Sequence, residues 1–260
     1  MKRLLLFFAA AFLILACSKD EEAIPVAPKS KFNLTIVATE GGSVSTTGGS
    51  YEEGSTVSVT ATAASGYRFV EWSNGETTAT INITVLGNIT LTATFEKLAY
   101  SIEVSGAIAK GAFATGSTLT FYELTKALSQ TGKTFNTDIT DKYGSYSLSV
   151  EEVTEDYARV VGEGFYWNEV TNKTTSEKIT LNALSEIKEG VNVNILTHLE
   201  YPRVEQLVKT EGKSFSDAKR QALIEVLSSL GIETTTDYGS AEQFNFVNGD
   251  DRSKILAVAS

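Results

Sequence analysis

Residues 41–75 read GGSVSTTGGSYEEGSTVSVTATAASGYRFVEWSNG, and this stretch decides the fold of the first part of the chain. Apolar residues alternate with polar ones around Val57 and Val59, and glycines such as Gly54 and Gly66 separate the alternating runs. A period of two buries one face of a strand and leaves the other in water, and glycine supplies the positive φ of tight turns. The stretch therefore predicts short strands joined by tight turns.

The same alternation continues on both sides of this stretch and extends the predicted β module to residues 32–97. Its further alternating apolar positions are Phe32, Leu34, Ile36, Ala38, Ile81, Ile83, Val85, Ile89, Leu91, Ala93 and Phe95. Within the module, Tyr67, Phe69 and Trp72 belong to a more aromatic strand. We expect this strand to supply the core of the module, with Trp72 as its largest buried side chain.

Four features of the module carry a family resemblance. They are the glycine pair Gly41-Gly42, the Gly-Ser-Thr-Val segment at Gly54, the Gly-Tyr-x-Phe-x-x-Trp segment that ends at Trp72, and the Ala-Thr-Phe that ends at Phe95. With these features the module resembles the divergent internalin-type (InlB) B repeat of bacterial cell-surface proteins. The resemblance implies a compact, all-β domain that serves as a spacer or an adhesive module and has no catalytic residues.

The first residues of the chain resemble a bacterial lipoprotein signal. Two basic residues precede the apolar run LLLFFAAAFLILA, which is too short to span a membrane, and the sequence ILAC that ends at Cys17 resembles a lipobox. Residues 1–16 are then a signal peptide, and Cys17 carries acyl chains such as palmitate. Cys17 is the only cysteine and cannot form an intramolecular disulfide. The alternative is a chance cysteine at the end of an ordinary signal peptide.

The residues after Cys17 resemble the export signal of Bacteroidetes-type surface lipoproteins. The cluster consists of Ser18, Lys19, Asp20, Glu21 and Glu22. It opens a flexible acidic tether over residues 17–31, which contains Pro25 and Pro28. The resemblance implies a lipid-anchored protein that is exposed on the outer face of the outer membrane. The alternative is that these charges only begin a solvated linker.

The charge of the chain excludes some classes of partner. The formal net charge is −10, and removal of residues 1–16 takes away Lys2 and Arg3, which changes it to −12. An acidic chain repels the phosphates of nucleic acids and the surface of anionic bilayers. We therefore expect no nucleic-acid partner, and contact with the membrane through the lipid anchor.

Residues 100–190 form a second predicted β region. Its three informative features are the glycines of its opening segment, a Gly-Ser strand start, and the Asp-Lys-Tyr-Gly-Ser-Tyr turn at residues 141–146. In these three features the region resembles the carboxypeptidase regulatory-like domain. That family has a prealbumin-like β-sandwich, so the resemblance implies a sandwich without catalytic residues. From the turn residues themselves, we expect Asp141 to cap the turn, Gly144 to adopt positive φ, and Tyr146 to enter the core.

Residues 191–260 have the apolar period of helices. The first predicted helix has the apolar positions Leu196, Leu199, Val204, Leu207 and Val208, with a bend near Pro202. The second has a capping box of Ser214 and Asp217, a stripe of Ala218, Ala222, Val226, Leu227 and Leu230, and a Schellman end at Gly231. The third begins near Asp250. The sequence stops inside it, so we expect an incomplete helical region, with a short docking helix as the alternative.

The chain offers few residues for catalysis. His198 is the only histidine, which excludes a two-histidine metal site, and its position beside an apolar helical stripe is typical of a structural role. The paired carboxylates are Glu151-Glu152, Glu155-Asp156 and Asp250-Asp251, and the oxygens of a candidate calcium loop are those of Asn248, Asp250 and Asp251. A position in a turn or at a helix cap accounts for each carboxylate pair without catalysis. The candidate calcium loop lacks the ligand spacing of an EF-hand. We expect no catalytic residue, no metal site and no cofactor.

The aromatic segment Phe165-Tyr166-Trp167 is the main candidate for ligand binding. Three consecutive aromatic residues place rings on both faces of a strand, so at least one ring lies near the surface. Exposed rings hold sugars or peptides, which makes Tyr166 and Trp167 candidate ligand-binding residues. The interpretation that we favour is structural, with Phe165 and Trp167 in the core of the sandwich and Tyr166 covering an edge.

Together these patterns indicate a mainly β, non-enzymatic lipoprotein at the surface of a bacterial outer membrane, with a C-terminal helical region. It displays a binding or adhesion module, and its partner is a glycan, a host matrix protein or another outer-membrane protein. Two alternatives stay open: a glycan-capture lipoprotein of a carbohydrate uptake system, and the N-terminal part of a larger surface enzyme.

Overall fold

The computed structural model describes residues 28–168, 170–246 and 249–260. It is mainly β, with 45% strand and 18% helix, which confirms the predicted fold class. The signal peptide, Cys17 and the acidic cluster after it lie outside the described residues. The described residues form two compact units, which we call the first unit (28–62 and 69–95) and the second unit (63–68 and 96–260).

The first unit is built from strands in two sheets. The strands are β1 (Lys31–Ala38), β2 (Gly42–Val44), β3 (Gly48–Glu52), β4 (Thr56–Ala63), β5 (Tyr67–Trp72), β6 (Thr80–Thr84) and β7 (Ile89–Lys97). One sheet has the order β3-β1-β7-β5 and the other the order β2-β4-β6. In the larger sheet, β1 pairs antiparallel with β3 and parallel with β7. Both edges of β1 are therefore hydrogen-bonded to a neighbouring strand.

The inward residues of these strands form an apolar core. Its buried side chains are Leu34, Ile36, Val59, Ala61, Trp72, Ile81, Ile83, Val85, Leu91, Ala93 and Phe95. Trp72 is 0% exposed, and its Nε1 donates a hydrogen bond to the carbonyl of Thr78 at 3.1 Å, which satisfies the polar atom of the ring. The ring of Phe69 lies 5.7 Å from those of Trp72 and Phe95. The prediction that Trp72 is a core residue is confirmed.

Two glycines of the first unit are required by close packing. A Cβ atom at Gly42 would overlap the ring of Phe95, and one at Gly48 would overlap the carbonyl of Leu34. Gly48 also has φ +98°, which other residues rarely adopt. The glycine pairs of the sequence therefore mark places where the backbone touches a neighbouring strand or the core.

The second unit begins with strands that form a sandwich. They are β8 (Tyr100–Ala109), β9 (Thr118–Leu124), β10 (Gln130–Asp138), β11 (Ser145–Val153), β12 (Tyr157–Gly164), β13 (Trp167–Asn168), β14 (Lys173–Thr174), β15 (Ile179–Glu186) and β16 (Val193–Asn194). One sheet has the order β10-β9-β12-β15 and the other the order β11-β8-β16, and β13 pairs with β14. Among these pairs, β16 with β8 is parallel, and the others are antiparallel.

The two larger sheets enclose one apolar core. Its fully buried large side chains include Ile108, Phe113, Leu119, Phe121 and Ile139. The turn before β11 has the predicted geometry: Asp141 Oδ1 accepts hydrogen bonds from the backbone N–H groups of Tyr143 and Ser145 at 2.9 Å, and Gly144 has φ +75°. Tyr146 is buried, as predicted.

Helices follow the sandwich. They are α1 (Ile195–Lys209), α2 (Phe215–Ser229) and α3 (Asp251–Ala259), with a 3-10 helix at Ala241–Gln243. Each α-helix begins at a side-chain cap, formed by Asn194, Ser214 and Asp250 respectively. The end of α2 is the predicted Schellman motif, in which Gly231 has φ +71°. Within the described residues, no helix is long and apolar enough to cross a membrane.

The buried faces of α1 and α2 differ from the predicted stripes. Leu199 is 43% exposed because the buried face of α1 passes through Glu200 instead. Leu230 is 39% exposed because it is the C-cap residue of α2, whereas Lys219 is buried within that helix. Pro202 lies inside α1, which continues through it as one helix.

Replacing Gly42 with alanine tests its contact with Phe95. The added methyl group would overlap the ring, and overpacking of this kind costs about 1–3 kcal/mol. We expect the unfolding free energy of the first unit to fall by that amount in a denaturant titration. A Trp167→Phe background leaves Trp72 as the fluorescent reporter, because the chain has two tryptophans.

Gly87→Ala is the matched control for this variant. A Cβ atom at Gly87 meets no atom within 4 Å, so the control should unfold at the wild-type denaturant concentration. Equal loss of stability in Gly42→Ala and Gly87→Ala would contradict the packing explanation.

Candidate functional site

The favoured interpretation of the aromatic segment is wrong. Phe165 is 37% exposed and Trp167 is 42% exposed, whereas Tyr166 packs against the core of the sandwich. Tyr166 forms an antiparallel bridge with buried Phe113, and side chains alternate along an extended segment, so its two neighbours face outward. Trp167 therefore lies at the surface, and ligand binding by Tyr166 and Trp167 stays a prediction.

His198 has a contact that suits a structural role. Its Nδ1 accepts a hydrogen bond from the backbone N–H of Asn182 at 3.2 Å, which leaves the proton of the neutral ring on Nε2. A Ser-His-Asp triad needs Nδ1–H as a donor to the carboxylate. Burial lowers the pKa of His198, so the neutral form predominates at pH 7. Arg159 donates to the side-chain oxygen of the same asparagine at 2.9 Å and extends this contact.

Two of the carboxylate pairs lie at the surface of the second unit. Glu151 and Glu152 are exposed at an irregularity of β11, and not in a turn as predicted, whereas Glu155 and Asp156 lie in the connection between β11 and β12. Asp156 is exposed and forms an ion pair with Lys97. Glu151, Glu152 and Asp156 therefore contact water or a counter-ion, and Glu155 is partly buried.

The candidate calcium loop has a different role at its C-terminal end. Asp250 caps α3, because its Oδ1 accepts a hydrogen bond from the backbone N–H of Ser253 at 2.9 Å. Asn248 lies outside the described residues. Within those residues, no group of three His, Cys, Asp or Glu side chains is placed to hold a metal ion.

The structure contains a charged cluster that the sequence analysis missed. Glu200 of α1, Lys219 of α2 and Glu242 of the 3-10 helix meet inside the second unit, where they are 0%, 6% and 1% exposed. Charged side chains are rarely buried to this extent unless they are paired. We call these three residues the buried ion cluster.

Lys219 is the centre of the buried ion cluster. Its Nζ donates a hydrogen bond to the carbonyl of Leu184 in β15 at 2.9 Å. The same nitrogen forms ion pairs with Oε1 of Glu200 and Oε1 of Glu242. Of these contacts, those with Leu184 and Glu200 are hydrogen bonds, whereas the carboxylate of Glu242 contributes its charge at ion-pair distance.

The position of Glu242 depends on two asparagines at the start of α1. Asn194 is fully buried, and its side-chain nitrogen donates to the carbonyls of Ala241 at 2.8 Å and Phe244 at 3.1 Å. The side-chain nitrogen of Asn192 donates to the backbone carbonyl of Glu242 at 2.8 Å. These bonds attach the 3-10 helix to the beginning of α1, which places the carboxylate of Glu242 beside Lys219.

Burial and the neighbouring charges shift the pKa values of Glu200 and Lys219. Burial raises the pKa of Glu200 to about 8, although the Lys219 ammonium lowers it, and the Glu242 carboxylate raises it further. Burial lowers the pKa of Lys219, but the two carboxylates outweigh burial and leave that pKa above its usual value. At neutral pH the lysine is therefore charged, and Glu200 holds a proton for much of the time.

A cavity of about 250 Å³ opens beside the buried ion cluster. Its wall includes Lys219, Glu242 and Ser240, and its rim carries Glu186 and Asp237 among other residues. Within the described residues, no group donates a hydrogen bond to Oε2 of Glu242 or forms one with Oγ of Ser240. Two residues that line the cavity, Ser240 and Glu242, therefore carry buried oxygen atoms without hydrogen-bond partners among the described residues.

Part of this site had a signal in the sequence. Glu200 lies four residues after Leu196 and four before Val204, so it occupies a core position of α1. Lys219 follows Ala218 on the predicted apolar face of α2 and could have been assigned to that face. Glu242 had no such signal, because contacts with distant residues determine its position.

The family comparison concerns the first unit. Residues 32–99 match the divergent InlB B-repeat domain. This match confirms the resemblance of residues 32–97 and indicates a surface or adhesion-type module. No curated protein matches the chain.

One solved structure is similar over part of its length. The Bacillus anthracis TIE protein has 13% sequence identity to this chain and a TM-score of 0.23. The match covers 62% of this chain and 32% of that protein, so the chain spans about a third of its length. A TM-score this low does not establish a shared fold.

The raised pKa of Glu200 predicts how stability depends on pH. The folded second unit binds the proton of Glu200 more tightly than the unfolded chain, in which the pKa of a glutamate is 4.5. The stabilisation that comes from this bound proton is therefore complete below pH 4.5 and is lost as the pH rises to about 8. We expect the protection of α1 and α2 against hydrogen exchange to fall as the pH rises from 4.5 to about 8 and to level off above that, after correction for intrinsic exchange rates.

The variant Glu200→Gln carries a neutral side chain at every pH. We expect it to keep its protection across the same pH range, because no buried proton is lost. Glu189→Gln is the control, since Glu189 is exposed, and it should follow the wild type. A decline in Glu200→Gln as steep as that of the wild type would show that another group titrates.

Proposed function

We propose that this protein is a non-enzymatic lipoprotein, anchored in the bacterial outer membrane, that displays a binding or adhesion module at the cell surface. The observation that carries this proposal is the match of residues 32–99 to a B-repeat domain. The first unit supports a display role because its buried residues are apolar and its strands are short and regularly paired. A small, tightly packed domain of this kind is suited to spacing or contact.

The sequence before the first unit supports the anchor. The ILAC sequence ending at Cys17 provides an acylation site, and residues 18–31 provide a polar tether. Several acyl chains hold a protein at a bilayer much more firmly than one chain does. The acidic cluster from Ser18 to Glu22 supports transfer to the outer face, as its resemblance to an export signal implies.

The sandwich of the second unit supports its assignment as a carboxypeptidase regulatory-like domain. The turn at Asp141 and Gly144 has the geometry that the motif requires. Close packing requires a glycine at position 106 in the opening segment, because a Cβ atom there would overlap the carbonyl of Val191. A domain of this type contributes a rigid platform and no peptidase chemistry.

A second candidate function is glycan capture for a carbohydrate uptake system. It is favoured by the outward-facing rings of Phe165 and Trp167 beside the β13–β14 pair. Aromatic faces stack against sugar rings. Binding of an oligosaccharide on a glycan array, abolished by Trp167→Ala and unchanged by Val170→Ala, would favour capture over adhesion.

The anchor is tested by Cys17→Ser. Serine lacks the sulfur that receives an acyl chain, so we expect loss of labelled fatty acid from the protein and its release from the membrane fraction. Ser18→Ala is the control, because it changes a neighbouring residue and leaves the thiol intact. Membrane fractionation and fatty acid labelling that match the wild type in Cys17→Ser would refute the lipid anchor.

The side of display is tested by replacing Asp20, Glu21 and Glu22 with alanine. We expect the triple variant to keep its acyl chains and to become inaccessible to protease added to intact cells. The wild-type protein should be digested under the same conditions. A wild-type protein that is cleaved only after lysis would contradict surface display and leave the anchor untouched.

A further inference from the structure

The cavity beside the buried ion cluster has an incomplete charge balance. Two carboxylates, those of Glu200 and Glu242, face one ammonium group, that of Lys219. The ammonium group donates hydrogen bonds to Oε1 of Glu200 and to the carbonyl of Leu184, so it does not satisfy both carboxylates. Oε2 of both glutamates is buried and receives no hydrogen bond from the described residues.

The rim of the cavity does not supply the missing cation. Lys188 lies 3.5 Å from a carboxylate oxygen of Glu186. Arg220 lies 3.0 Å from a carboxylate oxygen of Asp217 on the preceding turn of α2. The positive groups at the rim are therefore already offset by neighbouring carboxylates, and Asp237 adds a further negative charge.

We propose that this cavity binds a primary ammonium group, which donates hydrogen bonds to Oε2 of Glu242 and to Oγ of Ser240. With the ligand bound, two ammonium groups face two carboxylates, and the charge of the site is balanced. This proposal concerns the second unit and does not rest on the surface role proposed above.

The geometry favours an ammonium group over a guanidinium group. A guanidinium binds a carboxylate best through two parallel hydrogen bonds, but Oε1 of Glu242 is already paired with Lys219. The remaining acceptors are single oxygens on two different side chains, which suit the three diverging donors of an ammonium group.

The size of the cavity limits the ligand. Its volume of about 250 Å³ lies below the range of roughly 300–1,000 Å³ typical of sites for drug-sized ligands. It therefore suits a group about as large as one side chain. The ammonium can belong to a free alkylamine or to a lysine side chain of another protein, and the two sources share the same chemistry.

The protonation of Glu200 supports the proposal. Burial raises the pKa of Glu200 to about 8, so at neutral pH a proton offsets part of the excess negative charge. A bound cation would replace that proton and lower the pKa. Affinity for the cation should therefore increase as the pH rises from about 7 to 9.

The titratable and charged groups around Glu200 come from several elements. Those of the cluster and the cavity are Lys219 and Arg220 of α2, Glu242 of the 3-10 helix, Glu186 of β15, Lys188 after it, and Asp237 before the 3-10 helix. Burial lowers the pKa of His198 on the same helix, and it is already neutral in this pH range. Glu200 is thus the group expected to titrate there.

Isothermal titration calorimetry on the full chain tests the proposal. The probes are n-butylammonium, for a free amine, and Nα-acetyl-lysine methylamide, for a lysine side chain. We expect binding of n-butylammonium, and no binding of 1-butanol, which lacks the charge, or of tetramethylammonium, which lacks N–H donors. If the lysine derivative also binds, the site accepts a protein side chain; if it does not, the ligand is a free amine.

Glu242→Gln is the decisive variant. It keeps one oxygen for Lys219 but replaces Oε2 with a donor, so we expect at least about tenfold weaker binding of n-butylammonium. Glu189→Gln is the matched control, because Glu189 is exposed and does not line the cavity, and it should bind as the wild type does. Ser240→Ala, which leaves the ion cluster intact, should weaken binding by roughly two- to tenfold if Glu242→Gln does not fold.

The pH dependence distinguishes this site from a general surface attraction. Between about pH 7 and 9, wild-type affinity should rise, and that of Glu200→Gln should stay constant. Three results would overturn the proposal: no binding of n-butylammonium at about 10 mM, unchanged binding in both Glu242→Gln and Ser240→Ala, or an equal rise with pH in Glu200→Gln. The first result would indicate that water alone fills the cavity.

Discussion

The ammonium group of Lys219 is enclosed between the carboxylates of Glu200 and Glu242, and the arrangement of the helices depends on this contact. Transfer of each ion out of water carries a penalty of several kcal/mol, which the partner must offset. The three residues belong to α1, α2 and the 3-10 helix, and the carbonyl of Leu184 ties the same ammonium group to β15. None of these elements can move away without leaving a buried charge unpaired.

Apolar burial and the buried ion cluster contribute differently to the second unit. Residues such as Val204, Leu207 and Ala222 bury apolar surface between the helices and β15, and this attraction is strong but not directional. The ion pairs and the hydrogen bonds of Asn194 have fixed directions, so they specify where the helices dock. The same cluster carries more carboxylates than cations, which is why a proton or another cation is drawn to it.

Local patterns predicted most of the fold, and long-range contacts account for what was missed. The alternation around Val59 and the capping residue Ser214 act within a few residues of the chain, and the strands and the helix start follow from them. The outward orientation of Trp167 depends on the bridge between Tyr166 and Phe113, about fifty residues apart in the sequence. Most of the candidate site depends on long-range contacts of this kind. Lys219 is a residue type expected in solvent, and Glu242 reaches it only because of bonds to the start of α1.

Hydrogen exchange in Lys219→Met tests the central role of the buried ion cluster most directly. Methionine keeps a flexible apolar side chain and removes the charge, which leaves the buried carboxylate of Glu242 without a counter-ion and Glu200 without its hydrogen-bond donor. The account predicts that α1, α2 and the 3-10 helix lose protection equivalent to about 3–5 kcal/mol, while β9 and β12 of the sandwich keep wild-type protection. Wild-type protection in the helices of Lys219→Met would contradict the account.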